Sequence, residues 1–129
     1  MRIGSVDLDS EVLVVAEIGN NHEGDAGRAR ELILRAAEAG AQAVKFQTIV
    51  PERLVSRTQA ARLEQLRRFG LSYDQFARLA ETAARARVMF LSTPFDVESV
   101  RHLEPLVPAF KIASGDNDFV ALLEAVADT

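Results

Sequence analysis

Ala43-Val44-Lys45-Phe46-Gln47-Thr48 places a lysine and a glutamine inside an otherwise apolar, strand-like run. Three other stretches repeat the pattern: Val14-Val15-Ala16-Glu17-Ile18-Gly19, Met89-Phe90-Leu91-Ser92-Thr93-Pro94 and Phe110-Lys111-Ile112-Ala113-Ser114-Gly115. Each is a short run of mostly strand-forming residues that ends in groups able to hydrogen-bond or carry charge, and helical patterns separate them. Strands and helices alternating through short links specify βαβ units, and right-handed crossovers then give a parallel sheet with its helices outside. The polar tips of such strands converge.

Working outward from that run, Val12 to Ile18 reads as a buried parallel strand because it is almost continuously apolar rather than alternating. What precedes it is a polar lead-in. The loop Gly19-Asn20-Asn21-His22-Glu23-Gly24 follows, Asp25 offers an N-cap, and a helix should run to about Glu38, closed by Gly40. Its core stripe is Leu32, Ile33, Ala36 and Ala37. Beyond Thr48 comes a connection containing Pro51 and a short helical pattern from Gln59 to Phe69, an insert of the kind that covers a site. Ser72-Tyr73-Asp74-Gln75 has the form of a capping box, predicting a helix to about Arg85 with Phe76, Leu79, Ala80 and Ala83 buried. A strand from Val88 to Leu91 follows, then Asp96 as the cap of a helix through Val97, Val100 and Leu103. A fourth strand, Ala109 to Ala113, and a helix from Phe119 to Ala127 complete the order.

Two architectures satisfy this order. An open Rossmann sheet binds its ligand over a glycine-rich turn after the first strand, whereas in a TIM barrel every strand contributes polar groups at its C-terminal end. Glu17-Ile18-Gly19-Asn20 is not a Gly-x-Gly-x-x-Gly turn, and all the strands carry polar tips. The expected fold class is therefore α/β, with residues 1–129 forming a (β/α)4 half of a TIM (β/α)8 barrel. Such a half leaves two sheet edges and a concave face uncovered, so we expect a homo-oligomer through the edges Val12 to Ile18 and Ala109 to Ala113.

Composition narrows the function classes. The 129 residues, 48% of them hydrophobic, suffice for one domain with a real core. The net charge of -4 and the lack of a basic stripe argue against nucleic acid as a partner. There are no cysteines, which excludes disulfides and thiolate chemistry and makes a cytoplasmic protein the expectation. No apolar run approaches the roughly 18 residues that span a bilayer, so no membrane role is expected.

Lys45 and Lys111, with hydroxyls from Ser92, Thr93 and Ser114, form a set suited to phosphate or carboxylate oxygens. A lysine at a strand end can also snorkel to water, but one flanked by Val44 and Phe46 is costly to bury without a partner. Glu17 has the same character. His22 reads two ways, as a ligand-binding or acid group and as a maker of local backbone hydrogen bonds. His102 should be solvated, and Asp96 and Glu98 should serve a helix N-terminus. There is no Ser-His-Asp set and no metal-spaced histidine pair, so nucleophilic hydrolysis has no support and no residue here reads as a metal ligand.

The succession AEIGNNHEGD, AGAQAVKFQT, FLSTPFD and FKIASGD, matching in order from about Val12 onward, resembles the first half of the sialic acid synthase (N-acetylneuraminate synthase) family. The resemblance implies a TIM-barrel enzyme that condenses phosphoenolpyruvate with an N-acylmannosamine-type amino sugar, releasing phosphate and forming a nonulosonic acid. Carried over by motif, it implies that Lys45, Thr93, Lys111 and Ser114 hold phosphoenolpyruvate, with Ser92 adjacent, and that Glu17 and Gln47 contact the sugar. It further implies a divalent metal, manganese or magnesium, whose histidine ligands lie beyond Thr129 together with strands five to eight and an antifreeze-like domain. The chain departs from the family in the short connection Thr48 to Leu71, which contains no asparagine, and in Asp118, Phe119 and Ala121 after the SGD motif. Two alternatives stand beside this reading: a related sugar-acid synthase acting on a phosphorylated sugar, and a half-barrel binding or assembly module without catalysis.

Overall fold

A computed structural model describes all residues from Met1 to Thr129. Its centre is a three-stranded parallel sheet of β3 (Val15–Gly19), β4 (Ala43–Thr48) and β5 (Met89–Pro94), ordered β3-β4-β5. Helices α1 (Ala26–Glu38) and α4 (Tyr73–Arg85) are the crossovers, with α2 (Pro51–Leu54) and α3 (Ala60–Phe69) inserted between β4 and α4, and α5 (Val97–Leu103) and α6 (Val120–Ala127) closing the order. The sequence expected the strand at the centre residue for residue.

The sheet's pleat sorts the side chains. Ile18, Val44, Phe46 and Phe90 project toward the helices and pack with Ala29, Ile33, Phe76, Leu79, Ala83 and Leu103. Phe46 lies at the middle, its ring centroid 5.3 Å from that of Phe90 and 6.2 Å, edge-on, from that of Phe76. Burying each such ring contributes about 1.5–3 kcal/mol, which makes this face the main source of stability.

Local signals fix the helix starts. The Arg28 backbone N–H donates to Asp25 Oδ1 at 3.0 Å, and this bond holds the Asp25 carboxyl below the ordinary carboxylate range. Ser72 and Gln75 form the reciprocal capping box of α4, with bonds of 2.8 and 3.2 Å. Asp96 caps α5 by accepting from the Ser99 N–H at 3.0 Å. Glycine is obligatory at residue 24, where φ is +83° and an added Cβ would stand 2.1 Å from the Arg68 carbonyl oxygen. The loop after β3 and the end of α3 meet there without room for a side chain.

Three expectations need correction. The first strand begins at Val15, not Val12, and the lead-in before it forms an antiparallel hairpin of β1 (Arg2–Ile3) and β2 (Val6–Asp7). No signal of hydrophobic alternation marks strands of two residues. The segment Ala109 to Ala113 is not a strand: it touches β5 through a single bridge, Ser92 with Phe110, and a 3.5 Å bond from the Lys111 N–H to the Ser92 carbonyl. Pro108 removes one donor at its entry, and with no further strand on its outer side the segment lacks a second ladder. The parallel sheet therefore has three strands, fewer than the four the sequence suggested. No helix is long and apolar enough to cross a membrane.

Candidate active site

The other face of the same strands carries the charge. Glu17 pairs in register with Lys45 across β3 and β4, and Lys45 in turn with Leu91 of β5. Residues in register point the same way, and the Lys45 ammonium forms an ion pair with the Glu17 carboxylate. The lysine side chain is 18% exposed and the glutamate 50% exposed. A largely buried ammonium needs such a counter-charge, and Glu17 supplies it from the wetter side.

Lys45 and Lys111 line one cavity of about 230 Å³ with Val15, Leu91 and Phe110. The Lys111 ammonium bonds to the carbonyl oxygen of Ile112, its own neighbour, so no carboxylate neutralises it. The two lysine side chains run along an otherwise mostly apolar wall, and an ammonium without a carboxylate partner, that of Lys111, suits an anion. Two residues further up the strands, on the same face, Gln47 pairs with Thr93. Gln47 is half-buried and its Oε1 accepts from Asn20 Nδ2 at 2.9 Å. Thr93 is buried at the same level.

The remaining candidates lie elsewhere. Ser92 alternates with Leu91 and Thr93, so its hydroxyl turns to the helix side, where it bonds to Thr48 Oγ1 at 2.7 Å, both groups buried. Ser114 opens an exposed 3-10 turn, Ser114–Asp116, rather than extending a strand. His22 is 1% exposed. Its Nδ1 accepts from the Gly24 N–H at 3.1 Å and its ring lies 5.9 Å from that of Phe46. Burial pulls its pKa below the usual 6.5, against the nearby Asp25 carboxylate and the Gly19 backbone, which push it up. The local backbone bond is formed through Nδ1, while Nε2 is buried without a hydrogen-bond partner. No three His, Asp or Glu side chains converge, so the residues present do not by themselves fit a divalent metal.

Two contributors escaped the sequence reading. Asn20 was visible only as one polar residue of a loop. Arg53, in α2, reaches Asp96 Oδ1 at 2.8 Å and also Glu98, joining the strap after β4 to the tip after β5. Burial pushes the Asp96 pKa up, but hydrogen bonds from Ser99 and Arg53 outweigh it and leave the carboxyl below the ordinary range. Thus Asp96 and Glu98 serve more than a helix terminus. His102 is half-exposed, stacked on Tyr73 with centroids 3.7 Å apart rather than simply solvated.

A parallel βα sheet with an ion pair, a second lysine and paired carboxamides on its open side defines an α/β domain, a class in which strand ends commonly build the site. The chain belongs to the NeuB family, whose match runs over residues 32–129. It is 43% identical to an uncharacterized protein of Methanocaldococcus jannaschii, MJ1065, over 90% of this chain and 34% of that protein. It is 36% identical to the N,N'-diacetyllegionaminic acid synthase of Legionella pneumophila, over 88% of this chain and 36% of the relative. The crystal structure of the N-acetylneuraminic acid synthetase from Leptospira borgpetersenii superimposes with a TM-score of 0.93 at 32% identity, covering 99% of this chain and 46% of that one. The chain thus spans about a third of the length of these curated relatives.

Proposed function

We propose that this chain provides the phosphoenolpyruvate-binding wall of a cytoplasmic nonulosonic acid synthase, as the N-terminal half of its TIM-barrel domain. In that reaction the methylene carbon of phosphoenolpyruvate bonds to the aldehyde carbon of an N-acylmannosamine-type sugar. Phosphate departs, and water supplies the oxygen of the new keto group. The observation that carries the reading is the convergence of Lys45 and Lys111, from separate elements, on one cavity. Both ammonium groups would meet the carboxylate and phosphate oxygens, and Glu17, released from Lys45 by the incoming anion, would face the sugar with Gln47. Thr93 would join the phosphoenolpyruvate contacts from the level above, and Ser114 would join them from its turn.

Calorimetric titration with phosphoenolpyruvate tests this. Lys45→Ala and Lys111→Ala should each weaken binding by about 1.5 to 3 kcal/mol, the scale of a charge-assisted hydrogen bond, without unfolding the domain. Undiminished binding by both variants, or none by the parent, sinks the reading. The same proposal has the uncovered face completed by further strands, from a second copy or another chain, and Val12, 82% exposed beside the β3 edge, supports it. A monodisperse monomer in sedimentation at micromolar concentration counts against self-assembly.

A further inference from the structure

Asn20 owes its place to an irregularity in β3. The register with β4 slips between Glu17 and Gly19, and Gly19 takes φ +53°. Such a bulge bends the strand and re-aims the next side chain, which here lies over the end of β4. Asn20 Nδ2 donates to Gln47 Oε1 at 2.9 Å. Beside the two amides Ile49, Leu66, Phe69, Gly70 and Leu71 line a cavity of about 10 Å³, room for no more than one water. Asn20 is the side chain that hydrogen-bonds Gln47 Oε1, and the side chains of Ile49, Leu66, Phe69 and Leu71 cannot replace it, so Asn20 decides which end of the Gln47 carboxamide points away.

We propose that Asn20 is a positioning residue that commits Gln47 Oε1 and leaves Gln47 Nε2 as the outward group, so that this position recognises an oxygen acceptor on the sugar. A hydroxyl or an acyl carbonyl oxygen fits it, and a bare N–H donor does not. The inference rests on the proposed contact between Gln47 and the sugar. An unoriented carboxamide would present either end and discriminate little; a fixed one leaves a mismatched donor unpaired.

Asn20→Asp is the informative variant, because it keeps the shape but offers Gln47 only acceptors, turning the carboxamide so that Oε1 faces outward. With N-acetylmannosamine as probe, titrated by ligand-observed NMR with phosphoenolpyruvate present, the dissociation constant should rise about tenfold, the scale of one lost hydrogen bond. Phosphoenolpyruvate affinity should hold. The side-chain amide resonance of Gln47 should also shift in Asn20→Asp without any sugar, a signature that lost stability alone does not produce. If Gln47→Ala leaves the sugar affinity unchanged, or the parent does not bind the sugar, the contact itself is wrong and the inference falls with it. If Gln47→Ala weakens binding but Asn20→Asp does not, or the Gln47 amide resonance stays in place, only the positioning role is overturned.

Discussion

The two faces of β4 carry opposite kinds of side chain, mostly apolar and buried on one, charged or amide-bearing on the other. Val44, Phe46 and Thr48 face the helices, and all three are buried, with the one hydroxyl among them satisfied by Ser92. Lys45 and Gln47, their immediate neighbours, face the open side and find polar partners, Glu17 and Asn20, on the adjoining strand and loop. Five consecutive residues, Val44 to Thr48, thus divide by parity into a set that folds the protein and a set available for chemistry. Substitutions on one face should therefore register in stability, and those on the other in binding.

The largest effect expected from breaking this division is on the helix side. Phe46→Ala removes a fully buried ring packed against Phe76 and Phe90, and should lower the unfolding free energy by about 3 to 5 kcal/mol in urea titration. A loss below about 1 kcal/mol would mean that the core is centred elsewhere. Lys45→Ala, one residue away, should leave that free energy nearly intact while weakening phosphoenolpyruvate binding.

Ser92 sharpens the comparison because composition and position in the sequence assign it to the wrong face. It stands in a polar tip beside Thr93, yet the pleat turns it toward Thr48. Ser92→Ala leaves the buried Thr48 hydroxyl without its partner and should cost about 1 to 2 kcal/mol of stability, with no change in phosphoenolpyruvate affinity. A binding defect at unchanged stability would return Ser92 to the site.

Much of this was legible because local signals carry it. The capping residues Asp25, Ser72 and Asp96 each sit at the start of a helix, and the apolar run around Lys45 gave β4 its bounds. Ion pairing between Glu17 and Lys45 was not legible, since it depends on the register between strands separated by a whole helix. The same holds for Asn20, placed by a bulge, and for Arg53, whose partners lie more than forty positions along the chain. Ala109 to Ala113 misled for the opposite reason: its residues have strand propensity, but a strand needs neighbours, and one bridge to β5 is all it has. The polar tips identified where chemistry could sit, and only the pleat and the register decided which of them share a face.

His22 supplies the smallest effect and the one that lies between the two faces, for it stands in the loop at the strand ends while its ring packs on Phe46. Desolvation lowers its pKa in the folded protein below the unfolded value of 6.5. The unfolded chain therefore binds the proton more readily, so the histidine's contribution is complete above that pH and is lost as pH falls through it and below. Asp25 and Asp96, also lowered, act in a separate window, their contributions present above 3.8 and lost as pH falls further. Thermal melts across the acid range should show a decline in stability that begins near the histidine value, well before the carboxylates protonate. His22→Gln should abolish the first phase and spare the second. A parent protein whose stability is flat until the carboxylate window would show that the His22 ring takes up its proton without cost, and so that the loop opens to water more readily than its burial implies.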